Sequence, residues 1–296
     1  MTRSNEAVGP GLVLLTGSEG RIGRHLRTLL TTLGYRVRGL DIRPASDASA
    51  DLHVVDLADA GAVREAMDGV DAVIHAGAIP HDRGDGSEVL ATNVLGTWSV
   101  LSAAVERGVE RVVCFSSINA QGSVGGFRPT EYLPIDDDYP HHPMSPYQLS
   151  KHLVEEMCRM VSERHGMVTL CLRPVWVAEP DQYGSAGFGT DAFLRLWRDD
   201  LWAYVDIRDV GDAVVRCLRV AGVRHDRFLL AAADTSAHVE TRLLVDQELA
   251  GVSWPGIHPD AYLSAQPYRS LIDCSHARAV LGWQARYSWR DTPVDG

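Results

Sequence analysis

Tyr147 and Lys151 stand four residues apart in Tyr147-Gln148-Leu149-Ser150-Lys151, so on a helix their side chains share one face. An ammonium beside a phenol favours the phenolate and lowers its pKa, which turns a tyrosine into a proton acceptor. Such a residue takes a proton from a substrate hydroxyl and returns one in the reverse direction. Upstream, Ser116-Ser117 closes an apolar run. The Ser117 hydroxyl can hydrogen-bond the reacting oxygen and align it with Tyr147 without acting as a nucleophile. Ser116 takes that role if the strand ends one residue early, with Ser117 then capping a turn. Beyond them, Asn119 and Gln121 offer amides for substrate hydroxyls.

Proton transfer of this kind accompanies hydride transfer when a nicotinamide is at hand, and the chain provides a dinucleotide site early. In Thr16-Gly17-Ser18-Glu19-Gly20-Arg21-Ile22-Gly23, Gly17 permits a tight turn, Gly20 lets backbone approach a pyrophosphate and Gly23 allows close helix–sheet packing. Arg21 and Ile22 begin a helix whose amides and dipole face the phosphates. Asp41 ends the second apolar run, where a carboxylate can accept both adenine-ribose hydroxyls and repel a 2′-phosphate, so NAD is favoured over NADP. Arg43 leaves the opposite preference open.

Asp56-Leu57 can meet the adenine ring, and Ala76-Gly77-Ala78 leave room for the cofactor backbone. His75, just before them, reads as a packed, hydrogen-bonded histidine rather than a base. Asn93 can bond a main-chain group or water near the cofactor, or serve as a buried polar bridge. Lys151 can also hold the nicotinamide ribose. Arg173 reads either as an internal salt-bridge donor or as a contact for an anionic substrate. Among the later aromatic residues, Trp176 and Tyr183 are candidate substrate contacts, against the alternative that they fill a core.

These residues need elements to hold them. Leu12–Thr16 reads as a buried strand, and Ile22, Leu26, Leu29, Leu30 and Leu33 recur at helical spacing after the turn. The alternation continues through strands at 35–41, 52–55, 72–75, 111–115 and 168–172, with helices near 59–67, 88–106 and 147–165. That pattern predicts an α/β fold, a Rossmann-type doubly wound parallel sheet. Residues 11–174 are expected to form mainly the NAD-binding domain. Residues 175–296, looser and Gly-rich around 183–189, are expected to form a smaller C-terminal substrate-side lobe, with one or two elements returning to the sheet.

With 28 basic against 39 acidic residues the net charge is -11, which argues against a nonspecific nucleic-acid binder. The five cysteines lie far apart without metal-ligand spacing, so reduced thiols are expected and no metal. No uninterrupted apolar run is expected to span a bilayer. The first nine residues are polar and read as a flexible extension of a cytoplasmic protein.

On the turn at 16–23, Asp41, Asp56-Leu57, His75-Ala76-Gly77-Ala78, Asn93, Ser116-Ser117, Tyr147 to Lys151, Arg173-Pro174 and Tyr204-Val205-Asp206-Ile207-Arg208-Asp209-Val210, the chain resembles the extended short-chain dehydrogenase/reductase superfamily, in particular its NAD-dependent epimerase/dehydratase branch. The resemblance covers residues 11 to 285. It implies that Ser117, Tyr147 and Lys151 are the catalytic serine, tyrosine and lysine, that Asp41 binds ribose, and that the chain forms a homodimer through the helices after Asn93 and bearing Tyr147. The compact C-terminal portion is similar to uronate-dehydrogenase-type enzymes. Those enzymes place an asparagine followed by a histidine where this chain has Ile118-Asn119, and residues 181–189 hold no Arg or Lys for a sugar carboxylate. Nor does the acidic pair of many family dehydratases follow Ser117.

The expected activity is NAD-dependent interconversion of a secondary alcohol and ketone on a small sugar-like or polyhydroxylated substrate. A sugar epimerase with internally recycled NAD is the first alternative. The second is a noncatalytic NAD-binding regulator, which would need the turn but not Ser117, Tyr147 and Lys151.

Overall fold

Runs such as Leu12–Thr16 and Arg111–Phe115 are buried at every position, the signature of parallel strands covered on both faces. In the computed structural model, which describes residues 11–44, 51–185 and 187–291, the first part of the chain runs β1 (Leu12–Thr16), α1 (Arg21–Thr32), β2 (Arg36–Asp41), β3 (Leu52–Val54), α2 (Ala60–Ala66), β4 (Ala72–His75), α3 (Gly86–Leu90), α4 (Gly96–Arg107), β5 (Arg111–Phe115) and α5 (Pro146–His165). It continues with β6 (Val168–Pro174), β7 (Trp176–Ala178), α6 (Gln182–Ser185), α7 (Asp191–Leu196), β8 (Tyr204–Asp206), α8 (Ile207–Arg219), β9 (His225–Leu230), α9 (Thr241–Glu248), α10 (Pro259–Leu263) and α11 (Ser275–Leu281).

Seven strands form one sheet in the order β3-β2-β1-β4-β5-β6-β9, and β7 pairs with β8 in a second, two-stranded sheet. Every pairing from β3 across to β6 is parallel. The chain reverses direction of travel between β1 and β4, which is the switch point where ligands of such sheets bind outside the strand ends. This is the Rossmann-type α/β sheet that the alternation predicts, and β9 returns to it late in the chain.

The chain divides into two compact units. The first takes residues up to Ser116, then Pro143–Leu172 and Gly211–Arg227; the second takes Ser117–His142, Arg173–Val210 and residues from Phe228 onward. A single cut after residue 174 therefore does not describe the division, because 117–142 joins later segments and 211–227 returns to the first unit. Residues 1–9, read as an extension, lie outside the described residues.

The first unit's core brings together Leu14, Val73, Val112, Leu101 and Val154 from strands and helices alike. Helix α1 turns Gly23, Leu26 and Leu30 inward, a stripe at helical spacing. Across α3, a π turn at Ala91–Leu95 and α4, the run Gly86–Arg107 is long and apolar enough to cross a membrane by length and composition. Its apolarity has a local cause: Val89, Val100, Leu101 and Ala104 are buried, and α4 packs on α2 and α5.

The second unit packs differently. Tyr183, Phe188, Phe193, Tyr204 and Trp289 form an aromatic core, with Trp176 and Trp197 partly buried against it. The 204–210 segment fixes this core to the last described residues. Tyr204 donates to Asp234 at 2.7 Å, the Trp283 indole donates to the Asp209 carbonyl at 2.9 Å, and the Asp209 carboxylate accepts from the Arg286 and Tyr287 amides.

Candidate active site

The glycine turn is built for contact. Gly17 has φ +67°, and a Cβ there would lie 2.7 Å from the Gly77 amide nitrogen and 2.8 Å from the Ala76 carbonyl, so the turn after β1 rests directly on the end of β4. A Cβ on Gly23 would sit 2.1 Å from the Gly17 carbonyl oxygen. Gly20 differs: its Cβ position meets only that oxygen, at 3.0 Å, and the tip of Arg43. Gly20 is also the helix cap and supplies no side-chain acceptor, so α1 begins at Arg21, Ile22 and Gly23 with its dipole facing an open cradle. That cradle suits a pyrophosphate.

Beneath it, Thr16 Oγ1 bonds His75 Nδ1 at 2.7 Å and accepts from the Gly77 amide at 3.1 Å, while His75 Nε2 meets Thr97 Oγ1 at 2.9 Å. Burial, with the Lys151 charge adding to it, pulls the His75 pKa down to about 3. The ring is a neutral strut, as its packed reading anticipated. Ala76, Gly77 and Ala78 are half-buried.

Asp41 ends β2 as a buried carboxylate. It accepts from the Glu19 amide at 2.8 Å and the Arg43 amide at 3.0 Å, and the Arg43 guanidinium lies 3.2 Å away. Burial raises its pKa, but bonds from Arg43 and Glu19 outweigh that and hold the carboxyl below its ordinary value. The Arg43 side chain is 56% exposed, so ribose hydroxyls would compete with a solvated partner. Asp56 is exposed and accepts from the Ala58 amide at 2.9 Å. Leu57 belongs to the core cluster and packs over Gly77 and Gly96.

Asn93 is buried in the π turn and bridges two segments. Its Oδ1 accepts from the Ile79 amide at 2.8 Å, and its Nδ2 donates to the Ile79 carbonyl and to Ser150 Oγ, each at 3.0 Å. The loop after β4 is thereby tied to α5, the helix of Tyr147. This is the polar-bridge alternative raised by the sequence.

Helix α5 begins with Ser145 as its cap and Pro146 at the first position. Ser145 Oγ accepts from the Gln148 amide at 3.2 Å, and Gln148 Oε1 accepts from the Met144 amide at 2.8 Å. Asp82 completes the cap from the loop after β4: one oxygen accepts from Ser145 Oγ at 2.6 Å and the other from the Tyr147 amide at 2.7 Å. A carboxylate here complements the helix dipole and fixes Tyr147's backbone. Tyr147 is half-buried, and the Lys151 ammonium lies 5.8 Å from its ring centroid. Lys151, 5% exposed, donates to the Phe115 carbonyl at 2.8 Å. Burial pulls its pKa down, and Cys114, Cys171 and Glu155 pull it back up.

Ser116 is turned to Glu155, donating to Oε1 at 2.6 Å, which commits its hydroxyl inside the first unit. In the second unit Ser117 Oγ accepts from the Asn119 amide at 3.2 Å and from Asn119 Nδ2 at 3.4 Å. Both are accepting bonds, so the Ser117 proton has no acceptor among the described residues and can be donated. Gln121 is fully buried: Nε2 donates to the Asp136 carbonyl at 2.7 Å, whereas Oε1 has no hydrogen-bond partner among the described residues. Trp176 stacks on Trp197 with centroids 4.6 Å apart. Tyr183 is 2% exposed with its hydroxyl bonded to Asp206, and its ring packs in the aromatic core. Arg173, wholly buried, donates to the Asp137 carbonyl at 2.9 Å and lies 3.5 Å from that residue's carboxylate, the internal role of its two readings.

Two of these residues were missed in the sequence. Glu155 carried a signal, since it continues the four-residue spacing of Tyr147 and Lys151 on one helical face. Asp82, in a polar loop, carried none.

The sequence profile of the NAD dependent epimerase/dehydratase family matches residues 13–231. The chain is 35% identical over 164 residues to uronate dehydrogenase of Pseudomonas syringae pv. tomato, a match covering 54% of this chain and 58% of that protein. It is 31% identical over 194 residues to UDP-glucose 4-epimerase of Azospirillum brasilense, covering 62% and 54%. These matches span little more than half the length of those relatives. Among solved structures, a short-chain dehydrogenase/reductase superfamily protein from Agrobacterium tumefaciens with bound NAD aligns over 95% of this chain and 94% of its own, with a TM-score of 0.73 and 26% identity. The chain therefore belongs to the NAD-dependent epimerase/dehydratase family of the extended short-chain dehydrogenases/reductases, enzymes whose cofactor is NAD.

Proposed function

We propose that this enzyme oxidises or reduces a secondary alcohol or ketone on a small polyhydroxylated, sugar-like molecule. The observation that carries the reading is a buried Lys151 ammonium one helical turn beyond Tyr147 and 5.8 Å from its ring. Bound NAD supplies the hydride acceptor, or as NADH the donor. Gly17, Gly20, Arg21, Ile22 and Gly23 hold its pyrophosphate at the start of α1, and Asp41 takes the adenine ribose. Asp56 and Leu57 flank the adenine, with Ala76, Gly77, Ala78 and the Asn93-braced loop along the cofactor backbone.

Tyr147 accepts the proton of the substrate hydroxyl during oxidation and returns it during reduction. Lys151 stabilises the phenolate and holds the nicotinamide ribose. Ser117 donates its free proton to the reacting oxygen, with Asn119 and Gln121 addressing neighbouring hydroxyls and Trp176 offering an aromatic face. In Tyr147→Phe, kcat should fall by about 10³-fold while NAD affinity stays within about twofold. Turnover equal to the parent enzyme would end this reading.

Similarity to UDP-glucose 4-epimerase supports a second reading, inversion with NAD recycled in place. Absorbance of NADH during turnover separates the two: stoichiometric change marks net redox, whereas product inversion without it marks epimerisation. We also propose a cytoplasmic homodimer. Exposed Leu95 and Trp98 near the start of α4 and Leu149 on α5 support the helix interface, and the five free cysteines fit a reducing compartment. Light scattering should give twice the mass of the chain.

A further inference from the structure

Glu155 is a carboxylate sealed inside the first unit at 1% exposure, and the chemistry described so far does not use it. It follows Lys151 on α5 at the spacing by which Lys151 follows Tyr147, so the three share a helix face. Its Oε1 accepts from Ser116 Oγ at 2.6 Å, and its Oε2 lies 3.9 Å from Arg227, which is one-third exposed. One turn earlier, Lys151 Nζ donates to the Phe115 carbonyl. Consecutive residues at the end of β5, Phe115 and Ser116, are thus fastened to consecutive turns of α5.

Lys151 is also the only lysine in the chain; the other 27 of its 28 basic residues are arginine. A compact ammonium fits a narrow buried site where a guanidinium fork does not, but a buried cation is costly without an opposing charge. Its surroundings offer few. Cys114 on β5 and Cys171 on β6 are thiols, and His75 on β4 is held neutral. From β9, His225 is held below its ordinary range by burial and by Arg227, while Arg227 itself adds positive charge beside Glu155. Among the groups acting on Lys151, Glu155 is the carboxylate.

We propose that Glu155 is a positioning residue for the reaction: its charge keeps Lys151 an ammonium, and its bond to Ser116 fixes the strand end from which the chain enters Ser117. This rests on the reading of Tyr147 and Lys151 as the proton-transfer pair. The single lysine makes the test direct, because incorporation of lysine labelled with ¹³C at Cε gives one side-chain resonance, which is followed against pH in the NAD-bound enzyme.

Glu155→Gln keeps an acceptor for Ser116 and removes the charge. Losing the anion disfavours the ammonium, so the Lys151 midpoint should fall by about one pH unit, and the alkaline limb of kcat/KM should fall with it. Ser116→Ala removes the bond and keeps the charge, so it should leave the midpoint in place while lowering kcat by about tenfold. Should Glu155→Gln not fold, Arg227→Ala gives the opposite sign: without that cation the midpoint should rise. An unmoved Lys151 midpoint in a folded, NAD-binding Glu155→Gln enzyme, or a falling one in Arg227→Ala, overturns the proposal. Failure of the underlying reading is a separate result, seen as full turnover in Tyr147→Phe whatever the lysine resonance does.

Discussion

The two units hold their polar side chains in different ways. In the first, site residues are fixed by short bonds between regular elements: Asn93 ties the β4 loop to α5, Asp82 caps the helix of Tyr147, and His75 bridges two threonines. In the second, aromatic rings pack on one another and their polar atoms bond buried carboxylates, as Tyr183 does with Asp206 and Tyr204 with Asp234. The first unit thus leaves these polar side chains little freedom. The second is organised around that aromatic core, and its 117–124 segment is largely buried as well.

The sharpest way to break this contrast is at Gly23, where a side chain would collide with the Gly17 carbonyl. Gly23→Val should cost about 3 kcal/mol or more, lowering the melting temperature and abolishing measurable NAD binding in a titration. Next is Asp41→Ala, expected to weaken NAD by roughly 10- to 100-fold and to narrow the preference over NADP, since Arg43 would then face the ribose without a competing acid. Its fold should survive, because Arg43 is exposed. The smallest effect is expected in the second unit. Tyr183→Phe removes one bond to a carboxylate that keeps Arg208 at 2.7 Å, for about 1 to 2 kcal/mol of stability and no change in kcat/KM. A large fall in kcat/KM with normal melting would return Tyr183 to the substrate site and erase the contrast.

Much of the first unit was legible because its signals are local. The apolar run at Leu12–Thr16, the glycines at 17, 20 and 23 and the four-residue spacing of Tyr147 and Lys151 act over a few residues. The second unit depends on distant partners. Ile135 donates to Leu271 and Asp273 donates back to Ile135, pairings without local periodicity, so a division near residue 174 missed the membership of 117–142. The aromatic residues after 175 were visible as a group. Which of them faced inward depended on Asp206 and Asp234, whose bonds no spacing reveals. Leu201 and Trp202, buried in the left-handed region at φ 54° and 53°, are similarly held by tertiary packing against their intrinsic preference.

A chain whose positive side chains are arginines apart from one enclosed lysine offers acylating reagents no exposed side-chain amine. Dyes, cross-linkers or resin esters aimed at primary amines should leave the folded side chains unmodified, and uptake of such a label at Lys151 would report that α5 had opened.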